Sequence, residues 1–179
     1  FVLQSNISDA CDLLSKSMQK SDGVLLKRLQ SLEKNINNTA SKYVGKSWTE
    51  VSITSICYNS LSDYDNMFIG NSMPIRNMDN YIFKNSKKIL TYSNRGASGI
   101  DGVLSTSLGL ATVSDNNRTL LLIGDLSLLH DINALLLNNK YEINITIVVI
   151  NNNGGGIFSL LPVSNENNIH FSNYWTTPH

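Results

Sequence analysis

The chain has 179 residues, 41% of them hydrophobic, which is material for one good core and part of a second. Lys+Arg and Asp+Glu each number 14 and the formal net charge is zero, a balance that gives no support to a general nucleic-acid or membrane-surface role. No uninterrupted apolar stretch has the length of a membrane span, and no secretory-signal pattern is visible.

In chain order, residues 1–47 read as helical and peripheral. "ISDACDLLSKSM" places Ile7, Ala10, Cys11, Leu14 and Met18 on one face at helical spacing, with Ser8 or Asp9 as the expected cap. "GVLLKRLQSLEKNI" repeats the pattern through Leu25, Leu29, Leu32 and Ile36. A further helix, "TEVSITSICYNSL", opens after Trp48 with Thr49 as its N-cap. Cys11 and Cys57 lack metal-ligand spacing and are expected to be reduced thiols in the core.

From Asn66 the texture becomes strand–helix alternation. "MFIG", "KILTYSN", "TLLLIGD" and "INITIVVI" are expected strands. "VLSTSLGLATV" and "LSLLHDINALLLNN" are expected helices between them. The third and fourth strands are continuous Leu/Ile/Val runs, as in a parallel sheet covered on both faces, joined by right-handed crossovers. The expected fold is therefore α/β, a three-layer parallel sheet with helices on both faces. Its expected domain is 48–179, preceded by the helical end of another domain at 1–47. The tail after Pro162, "VSNENNIHFSNYW", is polar and reads as an ordered surface loop. The first residue is Phe1 and the last stretch is "YWTTPH", so the chain reads as an internal piece of a longer protein.

Each expected strand ends in residues that make poor strands: Gly70-Asn71-Ser72, Ser93-Asn94-Arg95-Gly96, Gly124-Asp125 and Asn151-Asn152-Asn153-Gly154. In an open α/β sheet ligands bind beyond the carboxyl ends of the strands, so all four segments gather on one edge. Asp125 opens a helix, where free amides and the helix dipole favour an anion such as a diphosphate on Leu126 and Ser127. The Asp125 carboxylate would repel that anion unless a cation lay between them. Mg²⁺ suits the task, being a hard ion held by one or two protein oxygens together with phosphates and water. Asn152 follows Asp125 by 27 residues, at the tip of the neighbouring strand, and offers an amide oxygen. Gly154 lets the chain turn so that a main-chain carbonyl can be a third ligand. Taken alone, Gly-Asp reads as a cap and Asn-Gly as a turn. On consecutive strand–helix units they read together as a metal–diphosphate site. A dinucleotide fold would want G-x-G-x-x-G, which "GDLSLL" lacks.

Gly124-Asp125-Leu126 followed by Asn151-Asn152 resembles the thiamin diphosphate motif. With "GNSMPIR", "SNRGASGIDG", "GDLSLLHDIN" and "NNNGGGIFSLLP", the stretch from Phe68 to Pro178 resembles the 2-succinyl-5-enolpyruvyl-6-hydroxy-3-cyclohexene-1-carboxylate synthase (MenD) family. The plant phylloquinone-pathway protein carries a similar module. The resemblance implies a thiamin diphosphate- and Mg²⁺- (or Mn²⁺-) dependent transferase. Its reaction decarboxylates 2-oxoglutarate and adds the succinic semialdehyde carbanion to isochorismate, in menaquinone or phylloquinone biosynthesis. It implies that Asp125, Asn152 and the Gly154 carbonyl hold the metal. Gly124, Leu126 and Ser127 would lie at the diphosphate, and Ser98 and Ile100 at the aminopyrimidine. Arg76 and Arg95 would face substrate carboxylates, to which Arg presents a planar fork. Ile157, Phe158 and Leu161 would form an apolar wall.

The activating Glu of that family lies in a pyrimidine-binding domain that this sequence lacks. Glu33 and Glu50 match nothing in that motif, so the chain alone is expected to be inactive. The resemblance further implies a homodimer, or dimer of dimers, whose second subunit brings the pyrimidine-binding domain. It places the protein in a plastid stroma or a bacterial cytoplasm. His130 and Asp131 are expected to make structural hydrogen bonds. The alternatives are another thiamin diphosphate-dependent 2-oxoacid decarboxylase, an acetolactate synthase-like enzyme, or a non-catalytic remnant.

Overall fold

A computed structural model of the chain describes residues 4–19, 21–82, 86–114, 117–165 and 170–179. The chain divides into two compact units, 1–38 and 39–179. The first holds helix α1 (Ile7–Ser17) and most of α2 (Val24–Ala40), neither of which buries a residue. The cap of α1 is Asn6, whose side chain accepts the Ser8 amide, and not Ser8 or Asp9. The reason is positional: an N-cap needs extended backbone before the first turn, and Ser8 and Asp9 already lie inside that turn. Cys11 is exposed, contrary to the expectation of a core thiol, whereas Cys57 is buried; both are free.

The second unit is built on four parallel strands: β1 (Asn66–Ile69), β2 (Leu90–Tyr92), β3 (Thr119–Gly124) and β4 (Ile145–Ile150), in spatial order β2-β1-β3-β4. Helix α3 (Glu50–Ser60) precedes β1, with Thr49 as N-cap, its hydroxyl accepting the Ser52 amide as expected. Helix α4 (Met73–Tyr81) links β1 to β2, and α5 (Val103–Thr112) links β2 to β3.

Strand alternation sorts the core into two layers. Met67, Ile69, Leu120, Leu122 and Ile150 face Cys57, Tyr58 and Leu61, with Ile75 and Met78 of α4 packed against them. Phe68, Leu121 and Ile123 face Val103, Leu104 and Leu108 of α5, with Leu128, Ala134, Ile145 and Ile147 alongside. Helices thus cover both faces, because a parallel sheet of apolar strands leaves neither face for water. β3, one of the two inner strands, is buried at Thr119 through Ile123, whereas β4 at the edge is only partly buried.

Between β3 and β4 one continuous helix was expected over 126–139. The structure has a short helix α6 (Asp125–His130) followed by a 3-10 stretch, Ile132–Asn139. The junction is Asp131, which serves a different helix. Gly102, the N-cap of α5, has no side chain to offer. Asp131 supplies the missing acceptor, bonding the Ser105 amide at 2.7 Å and the Ser105 hydroxyl at 2.7 and 2.9 Å. The structural role expected of Asp131 is this bridge.

The tail, expected as an ordered loop, carries helical turns. It makes a 3-10 turn, Pro162–Asn165, and a short helix α7 (Phe171–Tyr174); residues 166–169 lie outside the described residues. Its aromatics supply the order: Trp175 meets Phe158 edge-on at 5.6 Å and stacks on Phe171 at 6.4 Å. Among the described residues, no helix is long and apolar enough to cross a membrane.

Candidate functional site

Strand order reverses direction at β1: one connection leaves towards β2, and the chain returns past it to β3. Such a switch point opens a crevice beyond the strand tips. Here it is a cavity of about 330 Å³, within the range of small-molecule sites. Asn71 and Ser72 come from the tip of β1, Gly124 and Asp125 from that of β3, and Asn152 and Gly154 from that of β4.

Asp125 is buried, and its carboxylate is held by two main-chain amides: Leu126 N donates to Oδ1 at 2.7 Å and Gly154 N donates to Oδ2 at 2.9 Å. The second bond ties the β3 tip to the glycine loop after β4. At Gly154 that loop requires glycine, and next to it a side chain would displace its neighbours. At Gly154 φ is +124°, and a Cβ would collide with the Thr176 carbonyl oxygen. A Cβ on Gly155 would lie 2.7 Å from the Phe158 ring, and one on Gly156 would lie 2.6 Å from Asn152 Nδ2. The same Thr176 carbonyl accepts the Gly155 amide at 2.6 Å, so the tail is laid directly over the loop.

Ser127 is buried and donates its hydroxyl to the Ile100 carbonyl at 2.7 Å, joining α6 to the loop before α5. Ile100, Ile157, Phe158, Tyr174 and Trp175 present apolar surface to the same cavity. Leu126 also lines it. Leu161 and Ser98 are not part of this lining: Leu161 is exposed, and the Ser98 hydroxyl donates to the Arg95 carbonyl at 3.3 Å.

Arg76 and Arg95 come together in a second, more open cavity with Ile75 and Asp79. The corner Asn71-Ser72 separates the two cavities and is bonded to both guanidiniums. Arg76 donates to the Ser72 carbonyl at 2.7 Å, and Arg95 to Asn71 Oδ1 at 3.0 Å. Buried Asn71 also donates to the carbonyls of Asn94, at 3.2 Å, and Gly99, at 2.7 Å, which anchors the loop carrying Arg95 and Ile100. Ser72 has φ +70°, a rare conformation for a residue with a side chain, of the kind held in place at ligand sites.

The donor set fits a hard cation bound with help from its ligand. The cavity offers two carboxylates, Asp125 and Glu50, two carboxamides, Asn71 and Asn152, and main-chain carbonyls, with no thiol or imidazole in its lining. Among the described residues no group of three His, Cys, Asp or Glu could hold a metal ion. A cation here would therefore need oxygens from outside the protein, as Mg²⁺ takes them from phosphates. The apolar side of the cavity suits the ring body of an organic cofactor.

Three lining residues escaped the sequence reading. Trp175 and Tyr174 sat in a tail read as polar, although two adjacent aromatics were a signal. Glu50 opens α3 and reaches the cavity, where its Oε1 accepts from Asn152 Nδ2 at 2.9 Å. No local pattern announces that contact. His130, at the end of α6, is exposed and does not line the cavity.

Comparison with known proteins adds the following. A family model described as "Thiamine pyrophosphate enzyme, C-terminal TPP binding domain" matches residues 70–176. A 2-succinyl-5-enolpyruvyl-6-hydroxy-3-cyclohexene-1-carboxylate synthase of Staphylococcus epidermidis is 43% identical over 153 residues, covering 86% of this chain and 27% of that protein. The synthase of the same name from Listeria monocytogenes serotype 4b is 56% identical over 106 residues, covering 59% of this chain and 18% of that protein. The chain thus spans about a quarter or less of the length of the curated relatives it matches. Among solved structures, a Rhodococcus jostii RHA1 thiamine diphosphate-dependent 4-hydroxybenzoylformate decarboxylase aligns with TM-score 0.48 and 19% identity over 73% of this chain and 26% of that one.

Proposed function

Given that the chain belongs to the thiamine pyrophosphate enzymes, carrying their C-terminal TPP-binding domain, we propose that it is the diphosphate- and metal-binding part of a 2-succinyl-5-enolpyruvyl-6-hydroxy-3-cyclohexene-1-carboxylate synthase. The observation that carries this reading is the meeting of Asp125, Asn152 and Gly154 in one cavity at the tips of adjacent strands. The whole enzyme would decarboxylate 2-oxoglutarate and join the resulting four-carbon unit to isochorismate. When bound, thiamin diphosphate supplies the electron sink for the decarboxylation.

The residues divide the work by chemistry. Asp125, Asn152 and the Gly154 carbonyl would hold Mg²⁺ or Mn²⁺, with phosphate oxygens completing the shell. Gly124, Leu126 and Ser127 lie where the diphosphate would sit. Ile100, whose carbonyl is held by the Ser127 hydroxyl, would prop the cofactor, with Ser98 on the same loop nearer the aminopyrimidine. Ile157 and Phe158, with Leu161 just beyond them, keep water from the reacting centre. Arg76 and Arg95 would orient and neutralise the substrate carboxylates from the neighbouring cavity. Both substrates carry two carboxylates, and this pair of cations favours them over the small monocarboxylate acceptors of acetolactate synthase-like enzymes.

The activating Glu and the pyrimidine pocket would come from the pyrimidine-binding domain of a second subunit, in a homodimer or dimer of dimers. Neither nucleic acid nor membrane takes part, and the setting would be a plastid stroma or a bacterial cytoplasm. The test is an assay of the complete protein with 2-oxoglutarate plus isochorismate against pyruvate, following CO₂ release. Turnover only with the first pair is expected. Preference for pyruvate would replace this reading with the acetolactate synthase-like one, and cofactor binding that ignores Mg²⁺ would point to a remnant domain.

A further inference from the structure

We propose that Glu50 is a positioning residue for the cation site, fixing which end of the Asn152 amide is presented to the metal; the proposal rests on the reading of Asn152 as a ligand. A carboxamide has two nearly isosteric orientations, and only its oxygen can ligate a cation. An ionised carboxylate has no hydrogen to donate, so a bond from Asn152 to Glu50 must run from Nδ2. That bond, 2.9 Å long, engages the NH₂ group and leaves Oδ1 as the atom available to a cation. Without it the amide could turn and aim two N–H groups at the metal.

The carboxylate is itself well anchored. Glu50 is the first residue of α3, and the Thr49 cap fixes that turn. Its carbonyl accepts the Thr54 hydroxyl at 2.8 Å. Its other carboxylate oxygen, Oε2, lies 3.5 Å from Nδ2 of Asn77, a buried residue of α4. The glycine at 156 completes the device, since a Cβ there would stand 2.6 Å from Asn152 Nδ2 and push the amide out of this orientation. Glu50 and Asn152 are 102 residues apart, so the pair exists only in the folded domain.

The test is a Mg²⁺ titration of the complete protein in the presence of thiamin diphosphate, reading cofactor binding by calorimetry. Outer hydrogen-bond partners of metal ligands typically control affinity by roughly 10–100-fold, and Glu50→Ala should raise the half-saturating Mg²⁺ concentration by about that much. Glu50→Gln can still receive the Nδ2 hydrogen bond through its own oxygen and should remain close to the unsubstituted protein. In an Asn152→Asp background both oxygens are acceptors and no orientation is needed. There Glu50→Ala should cost nothing, or help by removing a like charge.

Glu50→Gln as damaging as Glu50→Ala would mean that charge, not orientation, matters, and would overturn the proposal. So would an undiminished Glu50→Ala penalty in the Asn152→Asp background, which would mark a merely structural role for α3. If Glu50→Ala does not fold, Glu50→Met, similar in length and lacking the oxygens, takes its place in the same cycle. Asn152→Ala is the control: unchanged Mg²⁺ dependence there would bring down the metal-site reading itself, and this proposal with it.

Discussion

The cavity at the strand tips and the neighbouring one, whose two arginines bond to the Asn71-Ser72 corner, are made of opposite materials. The site at the switch point is walled by glycine backbone and aromatic rings, around one buried carboxylate bonded to main-chain amides. The other holds two guanidiniums of exposed residues, each hydrogen-bonded to the corner. A resident cofactor is served by the first kind of site, since a pre-formed cage lowers the ordering cost of binding. Exchanging polyanionic substrates is served by the second, where cations attract carboxylates without first being desolvated.

That contrast can be broken by substitution. The largest effect is expected from Asp125→Ala, which should abolish Mg²⁺-dependent cofactor binding in the complete protein, checked by cofactor titration with and without the metal. Next comes Arg95→Ala. Losing a hydrogen bond to a charged group typically costs about 1.5–3 kcal/mol, so KM for the substrate bearing the contacted carboxylate should rise by roughly tenfold or more. Cofactor affinity should stay unchanged. Equal loss of cofactor binding in both variants would show that the two cavities do not work as separate sites.

A smaller effect is expected from Asp131→Ala, which removes the acceptor at the start of α5. It should lower stability by about 1 kcal/mol in a denaturant titration while leaving Mg²⁺ dependence intact. The smallest concerns Cys57. Burial pushes its thiol above the ordinary value, with a backbone hydrogen bond opposing more weakly. A group whose pKa is raised on folding adds stability below its unfolded pKa and loses it as pH rises through the folded one. Mildly alkaline solution should therefore leave the fold intact, and stability should decline only above the ordinary thiol range. Alkylation followed by mass spectrometry should modify exposed Cys11 readily and Cys57 only on unfolding.

Much of the site was legible because it sits where strands end. Leu120–Ile123 and Ile145–Ile150 announce themselves as runs of apolar residues, and Asp125, Asn152 and Gly154 follow them at fixed steps. The Thr49 cap was legible for the same local reason. The break in the expected helix over 126–139 was not, because Asp131 bonds to Ser105, 26 residues earlier, and not to its own segment. Nor was the aromatic roof, since the polar residues around Trp175 outnumber it in any short window.

The four strands in their chain order and the residues at each strand tip were determined by the sequence alone. Hydrophobic period and cap chemistry act within a few residues and survive without a folded partner. Which side chains meet across the cavity was decided by the tertiary structure. Glu50 finds Asn152, Thr176 closes over Gly154, and Asn71 holds Arg95 only after the sheet has brought distant segments together. A hydrogen bond depends on angle and on tenths of an ångström, and such distances come from packing, not from spacing along the chain.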